Sequence, residues 1–247
     1  MGRTAVIIWK SISIAIVAAM LITAVVLGAR MRPSDVPCRS LTYLIEDREA
    51  RMYLTENELN QLLRTEQIYP VGRTIDQGIL HRIEKTIQHH PMVRTADCYV
   101  TPRQDVRIRL TQRVPLLMVA VPGDAYFVDT DRRVMPVRAS VRDTVMVATG
   151  AVGPQIATNQ LADFAEWLQD NKYWRTRIRH VHVKSPQMIY LYLKGENQPR
   201  VVLGSMHRYE QKLAKLRTFL DNSAEAVKDK HYTEYDVRFR GQVIGRY

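Results

Sequence analysis

The stretch Thr74-Ile-Asp-Gln-Gly-Ile-Leu-His-Arg-Ile-Glu-Lys-Thr-Ile-Gln-His-His90, then Pro91, then Val93-Arg-Thr-Ala-Asp-Cys-Tyr-Val100, changes period in mid-sentence. Ile79, Leu80, Ile83 and Ile87 recur at helical spacing, and Pro91 stops that run. After it, Val93 to Val100 alternates apolar with polar, as a strand with one face buried does. Val106 to Thr111 alternates again behind the turn Thr101-Pro-Arg-Gln104. Upstream, Ser40 to Glu46 alternates with Leu41, Tyr43 and Ile45 on one face. Thr55 heads a helix as N-cap, with Glu58 in the partner position of a capping box and Leu59, Leu62 and Leu63 turned inward. That helix ends before Tyr69-Pro70. The order strand–helix–helix–strand–strand is a compact α+β unit, expected over residues 40–113.

From Pro115 onward the texture turns to short strands separated by turn residues. Strands are expected at Leu116–Val121, Ala125–Asp129, Arg133–Val137 and Val145–Thr149, with turns at Pro122-Gly-Asp124 and Thr130-Asp-Arg132. A break at Gly150-Ala-Val-Gly-Pro154 precedes an amphipathic helix near Thr158–Lys172, which buries Leu161, Phe164, Ala165 and Leu168. Strands follow at Ile178–Lys184, Met188–Leu193 and Arg200–Leu203. A helix at Met206–Asn222 has Tyr209, Leu213, Leu216 and Leu220 as its apolar stripe. The chain closes with Tyr235–Arg240, Gly241 and Gln242–Ile244. Residues 114–247 thus read as a mixed, β-rich domain with flanking helices.

At the other end, Ser11 to Ala29 is a run of nineteen residues without a charge. At helical rise it is about 28 Å long, close to the roughly 30 Å hydrocarbon core of a bilayer. It extends back to Ala5 past Lys10, whose amine can snorkel to the headgroups. A cleaved signal peptide has a shorter apolar region and a small-x-small site, whereas Leu27-Gly28-Ala29 puts a bulky residue there. The expected layout is a short tail (residues 1–10), a retained transmembrane helix (11–29), a linker (30–39) and two domains on one side of a membrane. Basic residues flank both ends of the run, so charge asymmetry scarcely orients it. A short tail facing the cytoplasm with a large translocated domain is the commoner arrangement.

The chain of 247 residues carries a formal charge of +11. Setting aside Arg3, Lys10, Arg30 and Arg32 leaves +7 for residues 33–247, spread along the sequence. Nucleic-acid binders concentrate such charge on one element with aromatics between, so no nucleic acid is expected. A basic surface facing anionic headgroups or an acidic polymer is the plainer reading. There is no GxxxxGK[ST], no GxGxxG after a strand, no HExxH and no GxSxG. His89-His90 point apart on a helix. His180 and His182 share a strand face but have no further ligand suggested nearby. Asp129 and Asp131 flank a turn, where aspartate bonds the local backbone. Ser205, after Gly204, reads as a helix cap. No catalytic residue, metal site or cofactor is expected. Cys38 and Cys98 follow no framework spacing, and a buried free Cys98 is favoured over a disulfide.

This order of parts resembles the bacterial cell-division family FtsQ/DivIB. Residues Ser40–Gln112 look like a POTRA domain, including Val71-Gly72 and His90-Pro-Met-Val-Arg94. Arg113-Val-Pro-Leu-Leu117 resembles the family's domain junction. Tyr126-Phe-Val-Asp129 with Arg133-Val134 is similar to its hairpin, with Arg132 where the family carries glycine. Val145-Met-Val-Ala-Thr-Gly150, Val202-Leu-Gly204 with Lys212-Leu213, and Tyr235-Asp-Val-Arg-Phe239 with Gly241-Gln-Val-Ile244 resemble its later strands and helix. The resemblance implies a non-enzymatic divisome scaffold in the cytoplasmic (inner) membrane at the division septum, with its domains in the periplasm. It further implies partners of the FtsB and FtsL type, which are single-pass division proteins. The expected docking site is a free sheet edge, where unpaired backbone groups accept another strand. Its expected residues are Tyr235, Val237, Arg238, Phe239, Arg240, Gly241, Gln242, Val243 and Ile244. Tyr235, Val237 and Phe239 would share one face, with Asp236, Arg238 and Arg240 on the other. Two other readings are a POTRA-bearing envelope assembly or secretion accessory, and a membrane-anchored cell-wall enzyme. The first would carry tandem modules and a membrane barrel, and the second a nucleophile or paired carboxylates in a cleft.

Overall fold

A computed structural model describes residues 16–23, 36–46, 53–138, 141, 145–222 and 231–247. Of the expected span 11–29, only 16–23 is therefore described. It is helical, and Ile16, Val17, Met20, Leu21 and Ile22 are exposed. Among the described residues no helix is long and apolar enough to cross a membrane. The expected tail at 1–10 and most of the linker lie outside the described residues.

The chain divides into two compact units: Met1–Leu44, Asn60–Thr86 and Asp97–Arg109 in the first, Ile45–Leu59, Ile87–Ala96 and Leu110–Tyr247 in the second. Within the α+β segment, β1 (Leu41–Ile45), α1 (Glu56–Thr65), α2 (Gln77–Gln88), β2 (Val93–Val100) and β3 (Val106–Gln112) follow in the expected order, and the sheet runs β1-β3-β2. The capping box at α1 is reciprocal. The Thr55 N–H donates to Glu58 Oε2 at 3.0 Å, and the Glu58 N–H to Thr55 Oγ1 at 3.3 Å. The Thr55 N–H holds the Glu58 carboxyl below its ordinary value. Thr55→Ala is expected to cost about 1 kcal/mol of stability in a urea melt, the usual worth of an N-cap. At α2 the cap is Asp76, whose Oδ1 accepts the Ile79 N–H at 2.7 Å. The helix therefore starts three residues later than Thr74. Ile83 and Ile87 are fully buried, while Ile79 and Leu80 are half-buried.

The cysteines differ from expectation. Cys38, assigned to the linker, is buried, and its N–H donates to Arg73 O. Cys98 is only half-buried, with its backbone N–H bonded to Glu84. Both are free. Burial, followed by the Glu84 charge, pushes the Cys98 thiol up to about 12, which leaves it un-ionised and unreactive at neutral pH.

Among the described residues, the second unit carries a nine-stranded sheet in the order β12-β11-β10-β9-β8-β7-β4-β5-β6. These are β4 (Pro115–Val121), β5 (Asp124–Asp129), β6 (Val134–Pro136), β7 (Met146–Gly150), β8 (Ile178–Ser185), β9 (Met188–Leu193), β10 (Arg200–Gly204), β11 (Glu234–Asp236) and β12 (Ile244–Arg246). Helix α3 starts at Pro154–Ile156, passes through a π-helical turn at Ala157–Leu161 and continues as Ala162–Asp170. The other helices among the described residues of this unit are α4 (Lys172–Arg175) and α5 (Tyr209–Asn222). Ser205, expected to open that last helix, lies four residues before it.

Parallel neighbours need long crossovers. Helices α3 and α4 link the parallel pair β7–β8, and α5 links β10 to β11. Leu161, Phe164 and Leu168 of α3, with Leu213 and Leu216 of α5, pack on one sheet face against Val119, Ala148, Val181, Leu191 and Leu203. Alternation then sends the other side chains of these strands to the opposite face.

In the β5–β6 turn, Arg132 takes φ 64°, the left-handed conformation that favours glycine. A side chain in that conformation costs about 1–2 kcal/mol. Its guanidinium pairs with Asp163 at 3.0 Å and Glu166 at 2.6 Å on α3.

Candidate functional site

The last fifteen residues do not form one outer strand. β11 stops after Asp236, because that side chain turns back on its own backbone: Oδ1 accepts the Arg238 N–H at 3.2 Å, two residues on. The chain then loops through Gly241, at φ +74°, and returns antiparallel as β12. β11 lies between β10 and β12, hydrogen-bonded on both flanks by strands of its own chain. Tyr235 and Val237 are buried in the helix-side core, and Asp236 is wholly buried. The single strand expected over Tyr235–Ile244 is thus two short ones, Glu234–Asp236 and Ile244–Arg246. The edge is β12, Ile244–Arg246, and no described strand pairs with its outer flank. Of the nine residues expected to bind, Ile244 lies on that edge. Arg238, Phe239, Arg240, Gly241, Gln242 and Val243 form the connecting loop, where Phe239 is exposed.

Two lysines of α5 hold this end in place. Lys212 Nζ donates to Leu203 O at 3.0 Å and Ser205 O at 2.8 Å. Lys215 Nζ donates to Val237 O at 3.1 Å and also to Phe239 O. Burial pulls both amines below the ordinary lysine value. Beside them lies a cavity of about 360 Å³, lined among others by His207, Arg208, Lys212, Lys215, Arg238 and Arg240. That lining is cationic and suits an anionic or acidic ligand.

On the face away from the helices, charges interlock across the last three strands. Arg238 grips Asp236 with Nε at 2.9 Å and Nη2 at 2.6 Å. Arg200 Nε reaches Glu234 Oε2 at 2.9 Å. From the edge strand itself, Arg246 spans both acids, with Nη1 on Glu234 Oε1 at 3.0 Å and Nη2 on Asp236 Oδ2 at 3.2 Å. On the opposite face Gly245 sits against the Tyr232 ring, where an added Cβ would clash with Cε1. Tyr232 stacks on Tyr247 with centroids 4.9 Å apart. β12 is thus registered by ion pairs on one side and an aromatic contact on the other.

Burial pushes the Asp236 carboxyl upward, but the Arg238 hydrogen bonds outweigh it and hold the group below its ordinary value. The stabilisation is therefore complete above the unfolded value of about 4 and is lost as pH falls through the lower folded value. Amide exchange at residues 234–246 is expected to accelerate selectively below about pH 4.

Arg200, Glu234, Gly245, Arg246 and the two lysines were not singled out from the sequence as site residues. Continuing the period-2 alternation two residues past Ile244 would have found Arg246. Lys212 and Lys215 stand three apart, each directly before a leucine of the α5 stripe, a position from which a long side chain can reach neighbouring carbonyls. Arg200 and Glu234 lie 34 positions apart and had no local signal.

Residues 114–246 match the family model described as FtsQ/DivIB, C-terminal related, and residues 36–111 match a POTRA-like domain. No curated protein matches the chain.

Proposed function

We propose, from the premise that this chain belongs to the FtsQ/DivIB family, that it is a division scaffold which captures single-pass partners of the FtsB and FtsL type by strand addition at β12. The apolar run Ser11–Ala29 anchors it in the cytoplasmic membrane, with the tail in the cytoplasm and residues 40–113 and 114–247 in the periplasm at the septum. It recruits and makes no bond itself.

The observation that carries this reading is the edge strand: a short, registered β12 at one end of a nine-stranded sheet, with its outer flank unpaired among the described residues. Backbone groups there supply affinity, and alternate side chains supply register. The loop Arg238–Val243 and the cationic cavity beside it offer a second foothold for an acidic partner. At the sheet's other edge, β6 ends in Pro136, which has no N–H to donate. The match over residues 114–246 favours this reading over an assembly accessory or a wall enzyme. Co-purification of the full chain with its membrane partners, against a version ending at Arg240, tests it.

A further inference from the structure

We infer that the cavity at the amino ends of β4, β7 and β8 is a binding site for a small soluble molecule with an anionic head, a carboxylate or a phosphate ester, on an aromatic or short aliphatic body. This goes beyond capture at β12. In the sheet order, β9, β10 and β11 separate β8 from that strand, so the site lies apart from the docking edge.

The three parallel strands begin side by side, with Leu116, Met146 and Ile178 at or next to their first positions. Over them α3 ends at Asp170, where Asn171 leaves the helical conformation at φ −92° and ψ 92°. The Asn171 side chain then caps α4, its Oδ1 accepting the Trp174 N–H at 3.2 Å. Between this bend and the strand starts lies a cavity of about 410 Å³. Small-molecule sites span roughly 300–1,000 Å³. The floor is made of Leu116, Met146, Leu168 and Ile178, all of them part of this unit's core. An apolar floor that faces a cavity gains free energy when an apolar body covers it.

The wall is cationic. Arg175, Arg179 and Lys194 line the cavity, and among the described residues no carboxylate does. The Lys194 backbone N–H donates to Arg177 O at 2.7 Å, which anchors the base of that side chain, and its Nζ donates to Arg175 O at 3.1 Å. An ammonium has three N–H donors, so two are left for a ligand. Arg175 Nη1 reaches Gln169 O only at 3.4 Å, beyond the usual N–H···O range. All three residues are exposed, so an anion can approach them from solvent. A bare ion would leave the floor uncovered, and an uncharged body would leave the cations unmet. The acyl chains of a membrane lipid, each about half as long as the roughly 30 Å bilayer core, outgrow the space. One small molecule carrying both parts meets floor and wall together.

The test titrates phenyl phosphate, a soluble probe with both parts, into the full chain in nanodiscs of zwitterionic lipid, with empty nanodiscs as the blank. Calorimetry is expected to show saturable binding, about tenfold or more tighter than for inorganic phosphate or benzyl alcohol, which carry one part each. Arg179→Gln with Lys194→Gln removes two charges at exposed positions and keeps hydrogen-bond donors there. Affinity should fall about tenfold or more in that variant, with an unchanged circular dichroism spectrum as the check of its fold. Amide exchange at residues 145–147 and 176–179 should slow with the probe in the original chain and not in the variant. Absence of saturable heat, equal affinity for phenyl phosphate and inorganic phosphate, or binding that survives the double substitution overturns the assignment. The last result would place the anion elsewhere, as in the cationic cavity beside α5.

Discussion

Replacing Arg113 with alanine should destabilise the second unit by about 3–5 kcal/mol, the usual cost of stranding one member of a buried ion pair. Arg113 Nη1 meets Asp129 Oδ2 at 2.7 Å, with 9% and 1% of the two side chains exposed. The other carboxylate oxygen accepts the Arg133 N–H at 2.7 Å. Without the guanidinium, the Asp129 carboxyl stays in the interior with a single donor, the Arg133 N–H. Truncation also empties the space of a long side chain, and the two effects act in the same direction. Removing the charge from both sides behaves differently. Arg113→Met with Asp129→Asn leaves no unpaired charge and keeps an acceptor for the Arg133 N–H, so most of the loss should return. Urea denaturation of the full chain in detergent at pH 7 measures both. A loss below about 1 kcal/mol for Arg113→Ala, the range of exposed pairs, would mean that water reaches the pair in solution.

The second large effect concerns capture. Ending the chain at Arg240 removes β12, the Arg246 contacts to Glu234 and Asp236, and the Tyr247 ring that stacks on Tyr232. Recovery of FtsB- and FtsL-type partners in co-purification is expected to fall to background. The POTRA-like segment should keep its fold, because its sheet of β1, β3 and β2 has no strand from the removed residues. Circular dichroism and amide exchange within residues 41–112 check that point. Loss of the edge strand leaves β11 outermost, but its acids then lose Arg246 and Asp236 retains only Arg238. Undiminished partner recovery by the truncated chain would place docking elsewhere on the molecule.

Much of the architecture was legible in local pattern. The capping box at Thr55 and Glu58, the stop at Pro91, the turn at Thr101–Gln104 and the apolar stripes of α3 and α5 all depend on residues a few positions apart. Asp129 shows where that reading ends. Its turn position foretold the bond to the Arg133 N–H, four residues on, and gave no hint of Arg113, sixteen residues back. The terminal segment shows the same limit in a different form. Alternation from Tyr235 to Phe239 suggested a single outer strand, yet Asp236 closes a turn on Arg238 and the chain comes back to form another.

What the residues determine unaided is the kind and order of elements, since period, caps and turn chemistry act over a few bonds. Which strand lies outermost, and which buried acid meets which guanidinium, was decided only by the folded sheet. Edge position is a property of strand order in space, and charges 34 residues apart, such as Arg200 and Glu234, acquire partners only when crossover helices bring their strands side by side.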